Sequence, residues 1–174
     1  MAMAVDRENT VAVAFSGGVD SSVLAVCAKR SVRVVACTGY SVASEDGAKA
    51  RSAAASMGVE IVTTKLTEEA VVRELERLEL PFEPTIMDKS LWCLYSLAAQ
   101  SAAAAGARVM LLGQLADELF GGYAKYSRAL GAGGPAEAKA MMEADLGGYD
   151  GRGRVRDVGA CSRWVRPKFP FGDP

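Results

Sequence analysis

Histidine is absent from this 174-residue chain, and cysteine occurs only four times, at positions 27, 37, 93 and 161. The missing imidazole excludes Ser-His-Asp and Cys-His catalysis and any histidine acid–base pair. No two cysteines have CxxC spacing, so a zinc site is disfavoured and buried, reduced thiols are expected. Any catalysis must therefore use carboxylates, lysine, metal ions or backbone dipoles.

Long apolar runs are also missing, so no segment is expected to cross a membrane. The N-terminal stretch MAMAVDRENT lacks the basic and apolar regions of a secretion signal, and we expect a cytoplasmic protein. The net charge of −1 gives no general attraction to nucleic acid. Residues 150–174 nevertheless carry six basic and three acidic side chains, which predicts either a solvated basic tail or a contact with phosphates.

Short apolar runs alternate with longer amphipathic ones, and this order predicts a single α/β domain over residues 1–174. Predicted strands cover 10–15, 32–38, 59–66 and 108–113, with a fifth around 161–166. Predicted helices cover 20–30, 44–58, 67–80, 88–105, 115–120 and 135–146. Ser44 and Thr67 are predicted N-caps, and Gly58 is a predicted stop. A loop is expected at 121–134, and the Gly/Arg-rich segment 147–174 carries no clear pattern.

The segment SGGVDSS, residues 16–22, joins the first predicted strand to the first predicted helix. It lacks the lysine that follows the glycines of a P-loop. Gly17 and Gly18 allow close approach of an anion, which the free N–H groups and the helix dipole would attract. Three hydroxyl donors accompany them: Ser16, Ser21 and Ser22. The segment predicts a phosphate site; the alternative is a tight turn with Asp20 or a serine as helix cap.

Asp20 would repel phosphates unless a cation lay between them. Mg²⁺ is suited to this place, because it binds one or two carboxylates together with phosphate oxygens. A second carboxylate is available in LLGQLADELFGGY, residues 111–123, where Asp117 and Glu118 follow the fourth predicted strand. If the first and fourth strands are neighbours, Asp117 faces Asp20 at the carboxyl edge of the sheet. The alternative is that these acids only begin a short helix whose Leu-Phe pair is core.

Both motifs resemble those of a known family. SGGVDSS resembles the pyrophosphate-binding loop of the N-type ATP pyrophosphatases, the PP-loop superfamily, and LLGQLADELFGGY resembles the GEGADELFGGY motif of its asparagine synthetase and β-lactam synthetase group. Residues 154–173 resemble a degraded RxD…A…RxPFLD region, in which Asp157 and Arg166 match best. The resemblance implies a three-layer α/β/α fold with a parallel five-stranded sheet, of the adenine nucleotide α-hydrolase-like type. It also implies cleavage of ATP between the α and β phosphates and adenylation of a substrate oxygen.

The same resemblance implies roles for individual residues. Asp20 and Asp117 would hold Mg²⁺ and act in catalysis, and the loop at 16–22 would hold the departing pyrophosphate. The remaining ATP contacts would come from strand ends and the second motif: Cys37, Thr38, Gly113 and Gln114. At the second strand the alternative is a simple exit turn at 39–40. Further on, Asp88 and Ser90 are expected to cap a helix, although Lys89 could approach a phosphate.

Two departures from the family motif bear on the substrate. Gln114 replaces the first acid of the second motif, and Leu115 replaces its second glycine. The glutaminase domain and the helical C-terminal portion of the larger synthetases have no match here, so ammonia would be free or delivered by a partner. Lys168 is a stand-in for the lysine of that C-terminal portion, but an exposed tail lysine is the favoured interpretation.

These observations together predict an ATP-dependent ligase that adenylates a carboxylate or similar oxygen for amide formation. One alternative is a PP-loop enzyme of tRNA modification, supported by the basic C-terminal segment and opposed by the net charge and unpaired cysteines. Another is a non-catalytic nucleotide-binding regulatory or assembly subunit, supported by Gln114. Candidate partners are a small-molecule substrate, a separate glutaminase subunit and a second copy of the chain, whereas neither a membrane nor nucleic acid is expected.

Overall fold

A single five-stranded parallel sheet organises the computed structural model, which describes residues 9–41 and 44–172. Its strands are β1 (Thr10–Ala14), β2 (Arg33–Tyr40), β3 (Glu60–Lys65), β4 (Val109–Leu111) and β5 (Arg166–Lys168). Its helices are α1 (Val19–Lys29), α2 (Asp46–Met57), α3 (Glu68–Glu76), α4 (Ile86–Ala104), α5 (Ala116–Phe120) and α6 (Ala124–Ser162). The spatial order is β3-β2-β1-β4-β5, so the predicted five-stranded parallel sheet is confirmed.

Side chains alternate between the two faces of the sheet and give it two cores. Val11 and Val13 of β1 point to the side of α1 and α2. Ala12 of the same strand and Met110 of β4 point to the other side, where α4 and α6 pack. Strands buried on both faces read as continuous apolar runs, which is why β1, β2 and β4 were recognisable in the sequence. The arrangement has three layers, as expected.

The strand order reverses between β1 and β4. β1 pairs with β2 on one side and with β4 on the other, and β4 pairs in register through Val11↔Val109 and Val13↔Leu111. The connections that leave β1 and β4 must therefore diverge to opposite faces, which opens a crevice beyond their carboxyl ends. The two motifs of the sequence leave the sheet at this crevice.

The glycine-rich C-terminal part differs most from expectation. The predicted loop at 121–134 and most of the segment 147–174 belong to α6, which is interrupted only by a non-helical Gly134 (φ 79°) before Pro135. Proline at a first helical position is favourable, so α6 consists of two helices joined at a kink. Its second half is helical despite five glycines because it packs on α4 and forms ion pairs such as Arg154–Asp150. The fifth strand accordingly begins later than predicted, at Arg166.

Helix ends were predicted with mixed success. Gly58 ends α2 in the left-handed conformation, and Thr67 caps α3 by accepting a hydrogen bond from Ala70, as expected. The N-cap of α2, however, is Glu45 rather than Ser44, and α3 ends at Glu76, four residues earlier than predicted. β2 continues through the expected exit turn to Tyr40 because β3 pairs with it that far. Within the described residues, no helix has the length and apolarity that crossing a membrane requires.

Candidate active site

A cavity of about 490 Å³ opens at the carboxyl ends of β1, β2 and β4. Eight of the predicted site residues line it: Ser16, Asp20, Ser21, Cys37, Thr38, Gly113, Gln114 and Asp117. Three others do not: Gly17, Gly18 and Ser22 border a shallow apolar depression on the outer side of α1. The crevice thus gathers residues from both motifs, but the hydroxyl of Ser22 is not among its donors.

The first motif forms a tight loop between β1 and α1. Gly17 has a φ of +75°, and a Cβ there would lie 3.1 Å from the Cα of Ala50, so only glycine fits without strain. The Oγ atoms of Ser16 and Ser21 lie 3.4 Å apart, and Ser21 Oγ donates to the carbonyl of Gly18. These bonds hold the loop in one shape.

The start of α1 has no side-chain cap. Its N-cap residue is Gly18, which forms no side-chain capping bond, and Asp20 lies inside the first turn. The alternative role of Asp20 or a serine as helix cap is therefore wrong. The first N–H groups of this 11-residue helix receive no side-chain acceptor at the cap, and the positive end of its dipole remains available to an anion.

Asp20 and the second motif come together because β1 and β4 are neighbours. A Cβ on Gly113 would lie 3.4 Å from the Cβ of Asp20, an ordinary contact distance. Burial and the nearby charges of Asp117 and Glu118 raise the pKa of Asp20 above its ordinary value. The two carboxylates therefore repel one another at the carboxyl edge of the sheet. This is where they were predicted to meet if β1 and β4 are neighbouring strands.

Asp117 is positioned by a short helix and a glycine turn. It lies in the first turn of α5, and its Oδ1 occupies the space that a Cβ on Gly122 would need. The Leu-Phe pair that follows is not core as the alternative required, because Leu119 is 38% exposed and Phe120 is 75% exposed. Packing of that pair therefore does not account for the motif.

Two carboxylates at one edge fit a divalent cation. Asp20 and Asp117 offer oxygen ligands, and a cation between them would relieve the repulsion that raises the pKa of Asp20. Over the ranges 9–41 and 44–172 no cluster of three or more metal-binding side chains occurs, so further ligands would have to be phosphate oxygens and water. Mg²⁺ has this preference, and the donor set fits it.

The residues of β2 that were predicted to contact adenine also line the cavity. Cys37 and Thr38 line it from the carboxyl half of the strand. Burial, with a smaller effect of Glu60, raises the pKa of the Cys37 thiol to about 12, so it stays a neutral thiol. A Cβ on Gly39 would lie only 2.8 Å from Leu94 Cδ1, which shows how closely α4 approaches this strand.

The wall contributed by α4 was not predicted. Its cavity-lining residues recur at helical spacing: Ser90, Leu91, Leu94, Tyr95 and Ala98. This spacing was visible in the sequence, but α4 is apolar on nearly all sides and nothing distinguished the cavity face from the core faces. Asp46, at the start of α2, also lines the cavity, and no sequence pattern marked it as a site residue.

Gln114 and Leu115, the two departures from the family motif, have unusual surroundings. Leu115 adopts the left-handed conformation (φ 75°, ψ −3°), which glycine tolerates and leucine does not prefer. Its side chain is nonetheless buried and fills the space beside Gly172. Gln114 donates from Nε2 to Oδ2 of Asp157 over 2.8 Å.

Asp157 and Asp88 anchor a buried polar network behind this wall. Asp157 is fully buried and accepts bonds from Tyr149 Oη and Arg156 Nε, both at 2.7 Å. Arg156 also donates to Asp88, which forms a capping box with Thr85 and a further ion pair with Arg152. Burial would raise the pKa of Asp88, but these hydrogen bonds outweigh it and hold the pKa well below its usual range.

The C-terminal arginines do not form the solvated basic tail that was one of the two expectations. Arg152, Arg154 and Arg156 lie on α6 and pair with acidic side chains. Lys168 lies on β5 and is partly buried, so it is not an exposed tail lysine. Asp88 takes part in capping α4, but as the N3 residue of a capping box whose N-cap is Thr85, and Ser90 donates to the carbonyl of Ile86 inside that helix. Lys89 is exposed and does not line the cavity.

The sequence matches the profile of one protein family, described as asparagine synthase, over residues 1–170. A comparison with individual curated proteins gives no match. The family uses ATP as a substrate, and the match agrees with the parallel sheet, the motif-bearing crevice and the resemblance of both motifs. The chain belongs to the asparagine synthase family and comprises an asparagine-synthetase-like, ATP-utilising synthetase domain of the PP-loop superfamily.

Proposed function

We propose that the chain cleaves ATP to AMP and pyrophosphate and adenylates a carboxylate or similar oxygen for amide formation. The observation that carries this proposal is the convergence of Asp20 and Asp117 on one cavity, beside the uncapped start of α1. Anionic phosphates suit the helix start, and a cation suits the two acids.

The residues of the chain would act mainly by binding and orientation. The backbone of the loop at 16–22, with the hydroxyls of Ser16 and Ser21, would stabilise the charge that develops on the departing pyrophosphate. Asp20 and Asp117 would hold Mg²⁺, which when bound neutralises phosphate charge and polarises phosphoryl oxygens. Backbone groups near Cys37 and Thr38 would orient the adenine, so that the α-phosphorus faces the acceptor.

The side chains of the cavity favour this electrostatic mechanism over one with a protein nucleophile. The chain has no histidine, and burial raises the pKa of the cavity thiol at Cys37 to about 12. Tyr95 also lines the cavity, and burial followed by the charge of Asp157 raises the pKa of its hydroxyl well above the usual range. Neither group ionises near neutral pH, so attack by the acceptor itself is the simpler route.

The test measures AMP and pyrophosphate after incubation of the pure protein with Mg-ATP, ammonium and a panel of carboxylates including aspartate and glutamate. We expect stoichiometric AMP, pyrophosphate and amide from at least one acceptor. Asp20→Ala should abolish Mg-ATP binding or turnover. Glu60→Gln, which alters an exposed acid that pairs with Arg33 and does not line the cavity, serves as the control. Unchanged turnover in Asp20→Ala would refute the assignment of the metal ligands.

A nucleotide-binding subunit without turnover is the second candidate. It is favoured by the engagement of Gln114 with Asp157 in place of the family's free acid. Tight binding of Mg-ATP with no AMP from any acceptor would select it. The tRNA-modification alternative draws less support from the basic C-terminal segment, because Arg152, Arg154 and Arg156 pair with acidic side chains within the fold. A glutaminase subunit and a second copy of the chain stay proposals, tested by whether glutamine replaces ammonium only in the presence of a partner.

A further inference from the structure

Gln114 lines the cavity with its side-chain amide held in one orientation. Its Nε2 atom lies 2.8 Å from Oδ2 of Asp157. Rotating the amide by half a turn would place its carbonyl oxygen against a carboxylate oxygen at that distance, and two acceptors repel one another there. The nitrogen must therefore face Asp157.

Asp157 cannot easily release this bond. It is 0% exposed and accepts hydrogen bonds from Arg156 Nε and Tyr149 Oη as well as from Gln114. Three donors thus converge on the two oxygens of one carboxyl group, and both oxygens act as acceptors. Arg156 is held in turn by Asp88, so the whole cluster is anchored to the start of α4.

The carbonyl oxygen of Gln114 faces the other way. In residues 9–41 and 44–172, this Oε1 atom has no hydrogen-bond partner, whereas every buried side-chain nitrogen or oxygen there has one. Oε1 is therefore accessible to solvent, and because Gln114 lines the cavity, it is a hydrogen-bond acceptor available to a molecule bound there.

The charged side chains that line the cavity also favour a ligand with hydrogen-bond donors. The charged side chains that line it within the described ranges are Asp20, Asp46 and Asp117, all of them acidic, and no lysine or arginine of those ranges joins them. A group with N–H donors, neutral or cationic, is favoured beside these acids and Oε1. A carboxylate placed directly against Oε1 would meet an acceptor oxygen and lie near like charges.

We propose that Gln114, oriented by the positioning residue Asp157, is a specificity determinant that selects an acceptor bearing an N–H donor group and rejects one bearing a carboxylate at that point. The chemical class is an amine, an ammonium or a primary carboxamide, distinct from the carboxylate that is activated. The inference rests on the proposed function, because it assumes that the acceptor enters the cavity beside ATP.

The first experiment examines the orientation of the amide without nucleotide or turnover. In NMR spectra of the nucleotide-free protein, one Gln114 Nε2 proton should be shifted downfield and exchange slowly with water. Asp157→Asn should abolish this signature, and Tyr149→Phe should keep it, although Tyr149 donates to the same Asp157 oxygen. An unshifted, rapidly exchanging amide in the wild-type protein would overturn the proposal.

The second experiment measures selectivity with isosteric probes. Asparagine against aspartate, and glutamine against glutamate, are titrated into protein saturated with Mg²⁺ and a non-hydrolysable ATP analogue. We expect the carboxamide of at least one pair to bind roughly tenfold more tightly, the range of one well-placed hydrogen bond. Gln114→Met should lower this ratio several-fold, and Tyr149→Phe should leave it unchanged.

Equal binding within both pairs, no binding of either carboxamide, or an unchanged ratio in Gln114→Met would overturn the inference. Failure of the proposed function is seen separately. It appears as absence of Mg-ATP-analogue binding in the wild-type protein, or as absence of AMP with every acceptor, and neither result depends on Gln114.

Discussion

Asp88→Ala offers the most quantitative test of how the site is supported. The side chain of Asp88 is 4% exposed and forms an ion pair with Arg152. It also accepts hydrogen bonds from the backbone N of Thr85 at 2.9 Å, from Thr85 Oγ1 at 2.6 Å and from Arg156 Nη1 at 3.1 Å. Alanine removes the capping box of α4 and one partner from each arginine. The variant should therefore be destabilised in the nucleotide-free protein.

The magnitude follows from the separate contributions. Loss of a helix cap costs about 1 kcal/mol. Breaking a buried ion pair costs about 3–5 kcal/mol when a charge is left uncompensated. Here Arg156 keeps its bond to Asp157, and Arg152 is 43% exposed and can be hydrated, so the lower end applies. Because both contributions come from the same carboxylate they overlap, and we expect a loss of about 3 kcal/mol in the free energy of unfolding.

Urea unfolding measures this loss directly. With a slope of about 2 kcal/mol per molar urea, the midpoint should fall by about 1.5 M. Asp88→Asn, whose side-chain oxygen can still accept the capping bond, should lose about half as much free energy. Glu60→Ala breaks an ion pair whose side chains are about half exposed, and it should cost less than about 1 kcal/mol. An Asp88→Ala midpoint equal to that of Glu60→Ala would refute the reasoning.

The pH dependence of the free energy of unfolding gives a second measurement of the contribution of Asp88. Because the pKa of Asp88 is held below its ordinary value in the folded protein, its stabilising contribution is complete above about pH 4. That contribution is lost as the pH falls from there through the folded-state pKa. Asp88→Asn should thus lose less stability than the wild-type protein on acidification, and parallel losses would contradict the assignment.

Three further predictions concern the cavity. Gly17→Ala should lower the free energy of unfolding by about 1–2 kcal/mol and weaken ATP binding, because Gly17 has a φ of +75°. Gly18→Ala should cost less, because Gly18 has a φ of −76°. Equal changes in the thermal midpoint of the two variants would contradict this. Leu115→Gly should be destabilised by about 1–2 kcal/mol in urea, because the lost burial outweighs the relief of the left-handed conformation, and a variant as stable as wild type would show otherwise. Asp117→Asn should lower the pKa of Asp20 in NMR titrations, because it removes a nearby negative charge. The same variant should raise the thermal midpoint of the nucleotide-free protein and weaken Mg-ATP binding. An unchanged Asp20 pKa would show that the two acids lie too far apart to share a cation.

Much of the fold was predictable because parallel strands buried on both faces have a local signature. β1, β2 and β4 were recognisable as short apolar runs, and helices such as α3 by their caps and amphipathic spacing. The C-terminal half of α6 was not predictable, since its glycines oppose helix formation locally. Contacts with α4 and ion pairs along the helix outweigh that preference.

Some residues of the candidate site were likewise predictable from the local sequence, and others were not. Asp20 in SGGVDSS and Asp117 in LLGQLADELFGGY were identified from their motifs alone, because each follows a strand and carries an acid beside glycines. The wall of α4 and the acid at Asp46 were missed, because neither has a local pattern that separates a cavity position from a core or surface one.

The sequence by itself determined the α/β class, and it predicted a phosphate site at residues 16–22 and a second acid near Asp20, because these depend on neighbouring residues and on chemistry. Only the tertiary structure decided that Asp117 and Asp20 lie at the same edge of the sheet, since this depends on the pairing of β1 with β4. It also decided the role of Gln114, whose partner Asp157 lies 43 residues away along the chain. A hydrogen bond across that separation depends on how α6 packs behind the cavity, and no local pattern encodes that packing.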